Sequence, residues 1–174
     1  YDPNGRLWAP ESAGGSLLDV GIYTLTLAEL VFQSQPLSFH AEAELSADGV
    51  DVCLSVTAEY PTGVLAKLNS AINTDLGSDA RIVGSKGHVD IPYFWRAEQM
   101  TLTSLEGEKV DEVHEPHRVN GFEHQITEVA RCLEAGMMES PVVPGSWSLA
   151  MAVLMDEIRS RIGVVYPCDA EVLS

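Results

Sequence analysis

Apolar residues recur along this chain with two different periods. From Leu17 to Phe32 they fill almost every direction of a helix: Leu18, Ile22, Leu25 and Ala28 make one stripe, while Leu17, Val20, Leu27, Leu30 and Val31 point elsewhere. That pattern predicts a deeply buried helix entered from the loop at Gly14-Gly15-Ser16 and stopped by Pro36. The period then drops to two. Phe39, Ala41, Ala43 and Leu45 alternate with His40, Glu42 and Glu44, and Val50, Val52, Leu54 and Val56 alternate with Asp51, Cys53, Ser55 and Thr57. Strands are therefore expected at 37–46, 50–60 and 64–72, then near 80–84, 87–91, 99–105 and 108–114. Turn chemistry at Ala47-Asp48-Gly49, Pro61-Thr62-Gly63, Ser85-Lys86-Gly87 and Glu106-Gly107 makes neighbours antiparallel. Two helices close the chain. Phe122, Ile126, Val129 and Leu133 share a face that ends at Gly136; Ser146 is placed to cap the next helix, whose face runs Trp147, Ala150, Leu154, Ile158 and Ile162 before Gly163. Helix, strands, helices in that order predict an α+β domain: one open, mainly antiparallel β-sheet with helices on one face. The uncovered face, carrying Leu, Val and Ala, suits a subunit interface, so a symmetric homodimer is expected.

The chemistry of interest is set into the first helix. Asp19 and Tyr23 lie four apart, on one side and about one turn from each other. A buried carboxylate costs several kcal/mol unless it is paired or used, so the pair is a candidate proton-handling site. Two plainer readings stand beside it. Ser16 and Asp19 also fit a capping box, in which the acid only completes the helix start, and Tyr23 also fits a core aromatic with its hydroxyl satisfied. Gly21 is harder to explain locally, because glycine inside a helix costs about 1 kcal/mol against alanine. Something approaches the backbone there, either another packed element or a flat ligand ring.

Composition bounds the function classes. The 174 residues suffice for one domain with a core. A net charge of −16, from 26 acids against 10 lysines and arginines, argues against nucleic-acid or anionic-membrane partners. The histidines form no zinc-spaced motif, and His114 and His117 sit in a polar stretch that reads as solvated loop, so no metal site is expected. Three cysteines, Cys53, Cys132 and Cys168, make no disulfide framework; Cys53 and Cys132 read as small buried hydrophobes, which favours a reducing, cytoplasmic setting. No segment reads as long and apolar enough to cross a bilayer, and no signal peptide is visible. The chain opens on Tyr1-Asp2-Pro3-Asn4-Gly5 without methionine, which suggests an excised boundary.

The stretch Gly14-Gly15-Ser16-Leu17-Leu18-Asp19-Val20-Gly21-Ile22-Tyr23 resembles the G-G-x-L-L-D-x-G-x-Y/H signature of the glucose–fructose oxidoreductase and inositol dehydrogenase (Gfo/Idh/MocA) family. Gly84-Ser85-Lys86-Gly87, Ile91-Pro92-Tyr93-Phe94-Trp95, the run Glu128 to Gly136, Glu139-Ser140-Pro141, Asp156-Glu157-Ile158-Arg159 and Gly163-Val164-Val165-Tyr166-Pro167 resemble the dimeric dihydrodiol dehydrogenase (D-xylose dehydrogenase) branch in register. Such enzymes join a Rossmann domain to a substrate-binding and dimerisation domain. The resemblance implies that residues 1–174 are the second of these, with the NAD(P)-binding half absent, either because the domain is cut from a longer protein or because the gene has lost that half. Neither a G-x-G-x-x-G nor the family's Glu-Lys-Pro motif, whose lysine joins the catalytic group, occurs here.

The resemblance further implies Tyr23 as the proton-transferring residue with Asp19 beside it, Gly21 close to an NAD or NADP cofactor, and Trp95 and Phe122 lining a pocket for a small sugar or vicinal diol. For the two aromatics, a core or interface role stands as the alternative. Arg96-Ala97 departs from the branch's Cys-Pro, and Thr26 stands where many relatives have Asp. The isolated chain is expected to be inactive. A non-enzymatic assembly or ligand-sensing module that keeps the fold without catalysis is the other class of function open at this point.

Overall fold

The structure is a computed structural model that describes residues 5–61 and 63–169. The opening residues Tyr1 to Asn4, and Thr62 of the Pro61-Thr62-Gly63 turn, lie outside the described residues. All seven expected strands form: β1 (Ser38–Leu45), β2 (Asp51–Glu59), β3 (Leu65–Ala71), β4 (Ala80–Gly84), β5 (Gly87–Ile91), β6 (Gln99–Ser104) and β7 (Lys109–His114). Every pairing among them is antiparallel. The α+β class stands, with one correction. The strands hydrogen-bond as two sheets, β1-β2-β3 and β4-β5-β6-β7, rather than as one. The cause is local: the link from β3 to β4 runs through Asn73, Asp75, Gly77, Ser78 and Asp79, turn formers that leave β3 paired only with β2. The chain accordingly gathers into two compact units, one of residues up to Leu76 with those from Gly145 onward, the other Gly77–Pro144.

In the first unit, helices α1 (Ile22–Phe32) and α3 (Gly145–Ile162) cover one face of β1-β2-β3. The two-residue period of β2 sends Leu54, Val56 and Ala58 under them, against Leu25 and Ala28 of α1 and Met151, Leu154 and Ile158 of α3. Of the expected α3 stripe, Leu154 and Ile158 are buried and Ile162 packs against the core as a partly buried residue, while Met151, outside that stripe, takes a buried place. The helix begins two residues earlier than expected, at Gly145, so Ser146 lies in its first turn instead of at the cap. A smaller cluster, Val50, Val52, Val164 and Tyr166, closes the end of the sheet next to the start of β2.

Three further expectations change. The helix around Tyr23 is not deeply buried: Tyr23, Leu30 and Val31 are exposed, because its apolar residues outnumber the positions that the sheet can cover. The helical run Pro10–Phe32 is long and apolar enough, by length and composition, to cross a membrane. Here it is broken into 3₁₀, π and α pieces, and its buried positions Leu17, Leu25 and Ala28 belong to the core. In the second unit, α2 (Glu123–Glu134) ends as expected, with Gly136 at φ +65° and Met137 N–H donating to the Cys132 carbonyl. Its predicted apolar face is not buried within that unit, where Phe122, Ile126, Val129 and Leu133 are all exposed and Cys132 is the buried residue.

Candidate active site

The loop Gly14–Ser16 and the turn after it are pinned from three directions. From β2, Asp51 Oδ2 accepts the Leu17 N–H at 2.6 Å. From β3, Ser70 Oγ accepts the Ser16 hydroxyl at 2.7 Å. Near the C-terminus, Tyr166 donates its hydroxyl to the Gly14 carbonyl at 2.5 Å. Ser16, Asp51 and Ser70 are the buried polar residues among those described, so the buried polarity of the molecule is concentrated at this one junction. The glycine pair has a physical reason. A Cβ on Gly14 would stand 2.6 Å from the Leu7 carbonyl oxygen, and Gly15 sits at φ +113° with Asp51 Oδ1 where its Cβ would be.

Asp51 is fully buried. Burial pushes its carboxyl above the usual range, and the amides of Leu17, Asp51 itself and Ser16 oppose that shift. Oδ1 makes no hydrogen bond of good geometry. Tyr166 is pushed up to about 12, first by burial and then by the charge of Asp51.

Leu17–Gly21 winds as one π-helical turn, with the Ile22 N–H reaching back to the Leu17 carbonyl, before α1 begins. Such turns recur at functional sites because the extra residue resets which way the following side chains point. The turn carries Asp19, and Tyr23 follows one residue into α1. The capping-box alternative fails. The side chain of Ser16 is committed to Ser70, and Asp19 turns outward to pair with Arg6 Nη2 at 2.5 Å. Asp19 is thus a partly exposed ion-pair member, not the buried carboxylate expected. Tyr23 is 49% exposed, so the sealed core aromatic is also excluded. At Gly21 the close approach is made by β3, since a Cβ there would stand 3.1 Å from Ser70 Oγ. This is the packed-element alternative.

The two candidate pocket aromatics belong to the second unit. Trp95 lies in the 3₁₀ turn Phe94–Arg96, which comes after Tyr93 at φ +46°, and Phe122 immediately precedes α2. Both are exposed, at 49% and 61%, so neither is a core aromatic of its unit. His117 ties their neighbourhoods together: its Nε2 lies 3.3 Å from the Arg96 carbonyl, and its ring occupies the space a Cβ on Gly121 would need. The expectation of a solvated His117 is corrected, since its side chain is only 8% exposed.

His117, Glu123 and His124 bring possible ligand atoms within 4.8 Å of one another. The oxygens of Glu123 are already taken, Oε1 by the amides of Arg118 and Val119 and Oε2 by those of Asn120 and Gly121. The carboxylate works as a nest for loop amides, which leaves little capacity for a cation.

Arg6, Asp51, Ser70 and Tyr166 were not singled out from the sequence. Only Asp51 left a signal there, as an acid at the head of the most apolar strand. The other three are ordinary residues that matter through contacts distant in sequence.

A family model described as the GFO/IDH/MocA C-terminal domain matches residues 1–90. The trans-1,2-dihydrobenzene-1,2-diol dehydrogenase of Mus musculus is 33% identical over 172 residues, covering 96% of this chain and 51% of that protein. The Homo sapiens protein of the same name is 32% identical over 163 residues, covering 90% and 49%. The chain spans about half the length of the curated relatives it matches. Among solved structures, aldose-aldose oxidoreductase from Caulobacter crescentus complexed with glycerol is similar, with a TM-score of 0.78 at 24% identity, covering 92% of this chain and 49% of that one. KijD10, a 3-ketoreductase from Actinomadura kijaniata in complex with NADP, is also similar, at 0.70 and 22%, covering 85% and 48%. At these identities the structural likeness establishes the fold.

The nest at Glu123 yields a prediction. Its own amide and those of Val119, Asn120 and Arg118 hold its carboxyl down to about 2. The stabilisation of the 118–121 loop is therefore present above the unfolded glutamate value of about 4.3, and it is lost as pH falls towards about 2. Amide hydrogen exchange at 118–121, corrected for intrinsic rates, should lose protection across that window, and Glu123→Gln should flatten the dependence. An unchanged pH profile in the variant would contradict this account.

Proposed function

The chain belongs to the GFO/IDH/MocA C-terminal domain family, and on that premise we propose that residues 1–174 are the substrate-binding and dimerisation domain of an NAD(P)-dependent oxidoreductase. The substrate class is a sugar or cyclic vicinal diol, oxidised at a hydroxyl or formed by the reverse reduction. The single observation that carries the reading is the placement of Tyr23. Its phenol is half exposed, two residues after a π-turn anchored at its base by Asp51, Ser70 and Tyr166. Relatives named as dehydrogenases of a dihydrodiol, and a neighbouring fold described in complex with NADP, favour this class.

The described strands pair only antiparallel, so no βαβ nucleotide cradle is built from them. The dinucleotide would be held mainly by residues beyond these 174, with the Tyr23 side of α1 facing its nicotinamide end. When bound, a nicotinamide supplies the hydride acceptor or donor. In the oxidising direction the substrate carbon loses a hydride while its hydroxyl proton passes to the Tyr23 oxygen; in the reducing direction Tyr23 returns that proton to the carbonyl oxygen. Asp19, four residues before Tyr23, stands there as an ion pair with Arg6. Gly21 is assigned to seating the turn on Ser70. Within the second unit, Trp95 and Phe122 are exposed apolar faces whose neighbourhoods His117 links, and a substrate-binding role for them is proposed from the family resemblance alone.

Dimerisation is proposed through the β4–β7 sheet. Ile82, Val89 and Leu102 form one cross-strand row, and Met100 opposite Val113 lies in the next. Val113, Met100 and Leu102 are exposed, an apolar surface that a second copy would cover.

Two measurements test these proposals. In the full-length protein, assayed with NAD(P)+ against cyclohexane-1,2-diol and a panel of aldoses, Tyr23→Phe should lower turnover by about 10²–10⁴-fold with folding intact; turnover within a few-fold of the parent would remove the assignment. Light scattering of the same protein at micromolar concentration should give a dimer, and Leu102→Asp should shift it to monomer; a monomeric parent would contradict the interface.

A further inference from the structure

Beyond the residues that meet substrate, the structure assigns a positioning role to two side chains of the sheet: Asp51 of β2 and Ser70 of β3 fix the π-turn whose winding sets where Tyr23 and Asp19 point. The inference rests on the reading of Tyr23 as the proton-transferring residue, and it adds residues that nothing in the family's sequence signature marks.

The contacts divide the labour. Asp51 holds the entrance of the turn through the Leu17 N–H. The first amides of a helical segment have no partner within it, so a carboxylate there fixes both position and direction. Ser70 holds both ends. It accepts from Ser16 just before the turn, and its oxygen abuts the Cα of Gly21, where a Cβ would come to 3.1 Å. The turn therefore cannot slide along the sheet without breaking a buried hydrogen bond or colliding with Ser70.

Burial argues that this arrangement serves more than stability. A fully buried carboxylate whose Oδ1 has no hydrogen bond of good geometry is a costly way to secure a loop, and an apolar filler of the same volume is often as stable or more so. Gly15 adds a second cost. The chain gives up side-chain packing and adopts φ +113° there so that Asp51 can sit against the backbone. Ser16, Asp51 and Ser70 account for all the buried polar residues among those described, and all three act on the turn that leads into Tyr23. Tyr166 completes the hold on Gly14 from outside the sheet.

The test uses the full-length protein with NADP+ and whichever diol or aldose it turns over fastest, and it compares Asp51→Ala, Asp51→Asn, Ser70→Ala and Tyr23→Phe. Rates are expressed per folded molecule, from the native near-ultraviolet signal. Asp51→Ala removes the acceptor and should lower kcat at least about 10-fold while KM for NADP+ stays within about two-fold. Asp51→Asn keeps an oxygen for the Leu17 N–H and should recover most of that loss. Ser70→Ala should lower kcat about three-fold or more, again without a KM change.

A purely structural role predicts a lower melting temperature with unchanged kcat per folded molecule, and that result would overturn the inference. Should Asp51→Ala not fold, Ser70→Ala decides by the same criterion, since it deletes a single oxygen. If Tyr23→Phe abolishes turnover while the Asp51 and Ser70 variants turn over normally, only the positioning role falls. If Tyr23→Phe retains full turnover, the catalytic reading falls and takes the positioning role with it.

Discussion

The buried carboxylate of Asp51, receiving the Leu17 N–H, is the contact on which the rest of this structure turns. It joins the central strand of the first sheet to the start of the helical segment that carries Asp19 and Tyr23. The backbone around it is correspondingly crowded. Gly15 has no side chain because the carboxylate occupies that space, and Gly14 has none because the Leu7 carbonyl does. Ser16 is turned away from capping its own helix and bonds to Ser70 instead. Burying an ion is expensive, and three facing amides offset only part of that cost, as the upward shift of the Asp51 carboxyl shows. The fold thus gives up stability at one point and gains a fixed orientation for the helix beyond it.

That helix acts as a short lever. A π-turn leads directly into α1, whose other side is locked into the core by Leu25 and Ala28 against β2 and α3. Tyr23 sits between the anchored base and the locked shaft, and it is exposed. A proton-transferring group needs this combination of a rigid backbone and an accessible side chain. In the second unit the loop before α2 obeys a similar logic with other residues: the carboxylate of Glu123 gathers four amides, and the His117 ring fills the space above Gly121. That arrangement leaves Phe122 outside at the helix start.

Much of this was legible in the sequence. The two-residue period of β1 and β2 marked the strands and named the residues that meet the helices, because alternation is a direct consequence of the pleat. The stripe on α3 was legible for the same kind of reason, as was the end of α2, where Gly136 takes a positive φ. Burial of the first helix was not. Its apolar residues point all round, and sequence periodicity cannot show how much of that surface one small sheet covers. The exposed apolar face of α2 obeys the same rule: the pattern predicts amphipathicity, not a partner. The candidate site was half readable. Asp19 and Tyr23 could be found because they lie four apart in one segment. Asp51, Ser70 and Tyr166 could not, because they reach the turn from sequence distances of 34, 54 and 152 residues. Asp51 showed in the sequence only as an acid at the head of an apolar strand, and local patterns name no partner for any of the three. The capping box shows the opposite failure, a good local pattern overridden when tertiary partners claimed both of its side chains. The division of the strands into two sheets lay in a run of turn formers that was visible, but its effect on pairing was not.

A crystal structure of the full-length protein with NADP+ and a bound diol tests the central claim most directly. The account predicts the Tyr23 hydroxyl within hydrogen-bond distance, about 3 Å, of the reacting substrate oxygen, with the Leu17 N–H still on Asp51. A Tyr23 hydroxyl turned away from the nicotinamide, or a Leu17 amide released from Asp51 in that complex, would contradict it.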